Sequence, residues 1–195
     1  MSIKTAHLEG PVADRDSWTA DRCSLERALR TVGSRSAMLL MREALYGTRR
    51  FDDFARRVGI TEAVTASRLR ELVKVGVLER HPYQEPGKRT RHEYVLTAMG
   101  RDLLPVAMAL IQWGDRYLAD PAGPPLLFTH HECGAPLRAS VTCDMGHEVP
   151  LGKVGIAFPP DGPGPSPVAA SSEHGRVAID PGDPTPGWPG LHPGA

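Results

Sequence analysis

Between residues 25 and 75 the apolar positions recur at helical spacing. Leu25, Leu29 and Val32 mark a first helix that Gly33 stops, and Ser34 caps a second that carries Met38, Leu39 and Leu45 and ends at Gly47. Phe51, Phe54, Ala55 and Val58 stand at i, i+3, i+4 and i+7, which predicts a short third helix, and Gly59-Ile60 turns tightly into a fourth. Two helices joined this closely form a candidate helix-turn-helix. At about 100° per residue, Thr65, Ala66, Leu72, Val73 and Gly76 share one side of the fourth helix with Leu69. Ala63, Val64, Ser67, Arg70, Glu71 and Lys74 take the other side and face outward. After Gly76 the period becomes extended: Val77 to Tyr83 and Arg91 to Leu96 predict two strands around the loop QEPGKRT, a hairpin with a basic tip. Thr97 caps a long final helix whose Leu104, Ala107 or Met108, Ile111 and Leu118 form an apolar stripe, with a kink expected at Pro105. That stripe is longer than a small domain needs, which suggests a dimer seam.

Composition changes the picture at the two ends. Residues 159–195 hold ten Pro and seven Gly without apolar periodicity, so this tail is expected to be disordered. Residues 1–21 are polar, with Trp18 the one large anchor, and read as a flexible arm. The longest nearly apolar run, Leu103 to Ile111, is far shorter than the ~18 residues of a membrane span. The acidic N-terminus lacks the apolar stretch of a secretory signal, so the expected compartment is the cytoplasm. Three cysteines are too few and too unevenly numbered for a secreted disulfide framework.

The formal net charge of zero conceals a segregation. Residues 22–118 carry 18 Lys plus Arg against 11 Asp plus Glu, and the acidic excess lies in the flanks. A basic, mainly Arg centre is the footprint of a surface that meets an anionic partner, and guanidinium forks fit phosphate and guanine well. On that reading Thr61, Arg70, Lys74 and the hairpin residues Lys88, Arg89 and Arg91 contact phosphates, while Ala63, Val64 and Ser67 meet base edges. Thr61 sits at the helix N-cap, where free backbone N–H groups and the positive helix end suit a phosphate oxygen. The alternative is a solvated, salt-bridged surface.

The stretch from Cys23 to Tyr117 closely resembles the HxlR-type winged helix-turn-helix transcriptional regulators of bacteria. The matching pieces are Cys23 with Glu26-Arg27-Ala28-Leu29, Leu40 to Leu45 (LMREAL), and Arg49-Arg50-Phe51-Asp52. They continue through Leu69-Arg70-Glu71-Leu72, Gly76, Leu78-Glu79-Arg80, Glu93-Tyr94, Leu96-Thr97, Gly100 and Trp113-Gly114. The resemblance implies a mainly α fold with a small β-wing, MarR-like or HxlR-like. It also implies a homodimer, assembled through the first and last helices, that binds double-stranded DNA at a palindromic operator. A small-molecule or redox effector is left open, and no cofactor is required. Ser36 stands where family members typically carry Trp, and Glu62, Ala63 and Val64 stand where Gln and Arg are frequent, so the operator cannot be borrowed from a relative. Glu62 repels phosphate yet can accept from cytosine N4, and Val64 can touch a thymine methyl. The resulting division is an arm over 1–21, the winged helix-turn-helix with its dimerisation helices over 22–119, a small β-hairpin or degenerate zinc-ribbon-like segment over 120–158, and the tail over 159–195.

Two further features carry chemistry of their own. Cys23 occupies the family's cysteine position at the start of the first helix, where the helix end favours a thiolate, and is a redox candidate set against an inert packing cysteine. His130, His131, Cys133, Cys143 and His147 form HxxCG and CxxxH elements, the nitrogen and sulfur ligand types of tetrahedral zinc, but neither element has the CxxC of a true knuckle. The alternative there is a metal-free hairpin of Leu137 to Cys143 with Val149 to Ile156. A zinc hydrolase using His131, Cys133 and Cys143 with Glu132 or Glu148 as base is the competing enzyme reading, but the short polar segment offers no core to build a pocket. A protein-interaction module is the third class. DNA binding is preferred because the basic charge, the outward helix face and the wing agree.

Overall fold

The computed structural model describes residues 5–162 and 166–167. The chain runs β1 (His7–Leu8), β2 (Trp18–Thr19), α1 (Ser24–Val32), α2 (Arg35–Leu45), α3 (Phe51–Val58) and α4 (Glu62–Lys74). It continues through β3 (Leu78–Tyr83), β4 (Arg91–Leu96), α5 (Ala98–Arg101), α6 (Leu104–Tyr117), β5 (Gly155–Ile156) and β6 (Ser166–Pro167). None of the described helices is long and apolar enough to cross a membrane.

Local chemistry sets the helix ends. The hydroxyls of Ser34, Thr61 and Thr97 accept from the backbone N–H groups of Ala37, Val64 and Gly100, which caps α2, α4 and α5. Gly59 ends α3 in the left-handed region at φ 70°, where a side chain would be strained, and so turns the chain into α4.

The core lies between α2, α3, α4 and the hairpin. Leu40, Met41, Phe54, Leu69, Leu72 and Leu78 are fully buried, and the Tyr94 ring meets Phe54 edge-on at 6.2 Å. Beside them is a polar junction. Buried Glu43 accepts from Arg42 at 2.8 Å and from the Thr48 hydroxyl at 3.2 Å, and that hydroxyl accepts in turn from Arg57 of α3 at 2.7 Å. Each buried polar group here has a partner, so α2 and α3 are joined without a desolvation penalty left open. Gly100 is also buried, because a Cβ at this position would run into the Val77 carbonyl and the Leu96 side chain.

Several sequence expectations differ from the observed packing. In α2 the buried stripe is Ala37, Leu40, Met41 and Ala44; of the expected apolar side, Met38 packs partly buried against the core and Leu39 and Leu45 are half-buried. The run AMLLM is apolar on every side, so its periodicity does not specify rotation. The final helix is not one kinked rod but two, broken at Asp102–Leu103. Pro105 lies in the first turn of α6, where its missing N–H costs nothing. Along the apolar stripe of this helix Ala107 and Met108 are buried, whereas Leu104 and Leu118 are exposed.

The N-terminal segment, expected as a flexible arm that could dock on the domain, is paired with residues 155–156 and 166–167. β1 pairs in parallel with β5, and β2 pairs antiparallel with β6. Trp18 is the anchor: its indole N–H donates to the Val12 carbonyl, the Arg15 guanidinium lies 3.7 Å from its ring, and Phe158 meets it edge-on at 5.4 Å. Strand Ser166–Pro167 falls within the segment read as a disordered tail, and the remainder of that segment from residue 168 lies outside the described residues. Of the expected hairpin of residues 137–143 with 149–156 only a short antiparallel contact is seen: the Val149 N–H donates to the Val141 carbonyl at 2.8 Å and Thr142 bridges Glu148, while Thr129 bridges Pro136 in the preceding turn.

Candidate nucleic-acid interface

α4 is held by Thr65, Leu69 and Leu72, which are buried, with Ala66 and Val73 partly so. The opposite side presents Thr61, Glu62, Ala63, Val64, Arg70, Glu71 and Lys74 to solvent, and Ser67 is half-buried. Apart from Ser67, the outward set inferred from helical angles faces solvent. Thr61 caps the helix, and its carbonyl also accepts from the Thr65 hydroxyl at 3.0 Å. Arg70 folds back along the helix, its Nε donating to the Ala66 carbonyl at 3.1 Å. Ser67 lies 3.4 Å from a Glu71 oxygen, whose other oxygen accepts from Arg68 at 2.8 Å.

β3 and β4 pair antiparallel from Leu78 with Leu96 to Tyr83 with Arg91, and the turn at the tip projects Lys88, Arg89 and Arg91 into solvent. The base of the hairpin is fastened to the loop before α3. The Tyr94 N–H donates to the Arg49 carbonyl at 2.8 Å, Arg50 bridges to Glu93, and the Arg50 guanidinium covers the Tyr83 ring at 4.5 Å. Wing and helix-turn-helix therefore form one surface.

Carboxylates are interleaved with the cations on this surface, which helical spacing alone did not reveal. Glu85 accepts from Arg50 at 2.6 Å and from Lys88 at 2.6 Å, and Asp52 accepts from Arg91 at 3.3 Å. The Lys88 and Arg50 hydrogen bonds hold the Glu85 carboxyl below its ordinary pKa.

The Cys and His residues of the C-terminal segment remain in two separate turns. His130 Nδ1 lies 3.1 Å from Cys133 Sγ, and His147 Nδ1 lies 3.6 Å from Cys143 Sγ. Backbone N–H groups of His147 and Met145 lower the Cys143 thiol pKa. No group of three or more His, Cys, Asp or Glu side chains comes together as a metal site among the described residues. Cys23 is the N-cap residue of α1, a partly buried free thiol beside a 450 Å³ cavity that Trp18, Arg22, Arg27 and Phe158 help to line.

Residues 31–121 match the model of the HxlR-like helix-turn-helix family. An HTH-type transcriptional regulator of Mycobacterium tuberculosis, itself uncharacterized, is 44% identical over 150 residues, covering 76% of this chain and 92% of the relative. The chain belongs to the HxlR-like helix-turn-helix family. An HTH-type regulator of Bacillus subtilis is 31% identical over 105 residues, 53% of this HxlR-like chain and 80% of the relative. A solved structure of a candidate transcription factor superposes with a TM-score of 0.64 at 29% identity, covering 71% of this chain and 96% of that one. Another, from Pseudomonas aeruginosa, gives 0.52 at 35% identity, with 72% and 95% covered. The similarity therefore continues past the family domain into the C-terminal segment. Membership places this HxlR-like protein among transcriptional regulators with a DNA-binding winged fold, not among enzymes.

Proposed function

We propose that this HxlR-like regulator binds duplex DNA as a homodimer on a palindromic operator, with α4 in the major groove and the wing on the flanking backbone. The observation that carries the reading is the continuous exposed surface of α4 and the hairpin, on which the polar cap of α4, Lys74, Lys88, Arg89 and Arg91 stand together. Ala63, Val64 and Ser67 are the base-edge residues, and Thr61, Arg70, Lys74, Lys88, Arg89 and Arg91 the phosphate residues. The dimer is supported by an apolar surface that stays largely exposed among the described residues, although residues 137–141 run beside α6. Leu25 and Leu29 of α1 and Val106, Leu110, Trp113 and Tyr117 of α6 are all about half exposed or more. Two such heads fit half-sites about 34 Å apart.

Binding titrations across a salt series test the assignment. Replacing Lys88 and Arg89 by Ala is expected to weaken operator and random DNA alike. It should flatten the slope of log K against log salt by about 0.9 per lost contact per subunit. Replacing Val64 or Ser67 should instead change the preferred sequence at nearly constant slope. Wing variants that keep the slope, together with helix variants that keep the preference, would show that the docking orientation is wrong.

A further inference from the structure

Two of the three wing cations, Lys88 and Arg91, are held by carboxylates of the chain itself. The tip is a tight turn in which the Lys88 N–H donates to the Glu85 carbonyl at 3.0 Å and the Gln84 amide donates to the Lys88 carbonyl at 3.0 Å. This geometry sets the Glu85 and Lys88 side chains on one side of the turn and lets them meet. The second Glu85 oxygen takes Arg50, the residue that opens α3, so a single carboxylate engages two cations from different elements. A second carboxylate holds a single cation nearby. Asp52, in the first turn of α3, holds Arg91 at the start of β4 beside a 260 Å³ cleft that Phe51, Tyr83 and Tyr94 help to line.

Charge-assisted bonds from Lys and Arg to a carboxylate use the donors that a DNA phosphate would use. Both acids lie among the outward cations, so they also repel any phosphate that approaches. Neither is needed to stabilise the fold: all three pairs are at the surface, where such contacts contribute about 0–1 kcal/mol each. We propose that Glu85 and Asp52 are internal phosphate mimics that hold Arg50, Lys88 and Arg91 back from DNA and so set how tightly the regulator grips DNA of any sequence. The chain thereby limits non-specific retention without giving up the cations. The inference rests on the wing-to-backbone docking proposed above.

The test uses the full chain and a fluorescent duplex of mixed sequence, titrated at several salt concentrations. Glu85→Gln and Asp52→Asn are each expected to tighten binding by about two- to fivefold, the range that corresponds to one exposed pair. The salt slope should steepen by up to about 0.9 per freed cation per subunit. Asp144→Asn removes the same charge in the C-terminal segment and should leave both quantities unchanged. Unchanged or weaker binding by both variants overturns the proposal, weaker binding marking the carboxylates as tethers that position the wing. Equal tightening by Asp144→Asn also overturns it, since net charge would then explain the gain. Asp52→Asn does not touch the wing turn, so it decides the matter even if Glu85→Gln disturbs folding. Wild-type protein that binds no duplex would defeat the docking reading itself, a result distinct from wild type that binds and variants that do not differ.

Discussion

Replacing Phe54 by Ala is expected to destabilise the protein by about 3–5 kcal/mol, the range for emptying a buried aromatic site. Phe54 has no exposed surface and packs in one cluster with Leu40, Met41, Leu69 and Leu72, against which Tyr94 sets its ring edge-on. These neighbours come from α2, α4 and β4, so relaxation around the void would require three elements to move together. A domain of this kind holds about 5–15 kcal/mol in total, so the loss is a large share of its stability. Denaturant unfolding of wild type and variant gives the difference directly, and a loss below about 1 kcal/mol would contradict the packing described. DNA binding should fall only as far as the folded fraction falls, because Phe54 reaches no part of the exposed surface of α4.

Trp113→Glu should have the opposite signature, leaving folding nearly intact and abolishing assembly. Trp113 is 55% exposed and lies against Tyr117 with ring centroids 5.8 Å apart, so the monomer loses little when it is removed. In a two-fold interface each substitution acts on both subunits, and a carboxylate inside the apolar seam would be buried without a partner. Linking two reading heads contributes about 10²- to 10⁴-fold in affinity through effective concentration alone. Operator affinity should drop by a factor of that order, with the melting temperature of the dilute protein little changed. Sedimentation that still shows a dimer would place the seam elsewhere on the molecule.

The legible and illegible parts of this chain divide along a physical line. Helices α3 and α4 and the hairpin follow from local signals, namely apolar period, a hydroxyl cap at Thr61 and a Pro-Gly turn, and the structure places them at those residues. The outward face of α4 was legible for the same reason, since helical geometry converts sequence spacing into direction. α2 was legible in length but not in rotation, because its apolar residues surround the axis. The carboxylate partners of the wing cations were not legible: Glu85 and Arg50 are 35 residues apart, Asp52 and Arg91 are 39 apart, and nothing periodic connects them. The same holds for Trp18, whose isolation in a polar segment hid an aromatic partner at Phe158. The His and Cys residues lie as two pairs, His130 with Cys133 and Cys143 with His147, each within its own turn.

The pairing of the two ends has a consequence for biosynthesis. His7 approaches the Gly152 carbonyl at 2.9 Å across 145 residues, and β1 and β2 find their partners only in the last elements described. Every contact of the helix-turn-helix core is complete once residue 117 has been made, so that core can fold on the ribosome while the N-terminal strands still lack partners. The clasp is then a late, long-range closure of two-residue strands, with a large loop-entropy cost set against few bonds. Its amides should exchange with solvent much faster than those of α2 and α4, and equal protection would mean that the ends and the core open as one unit. The N-terminal strands are thus among the last elements to be fixed in place.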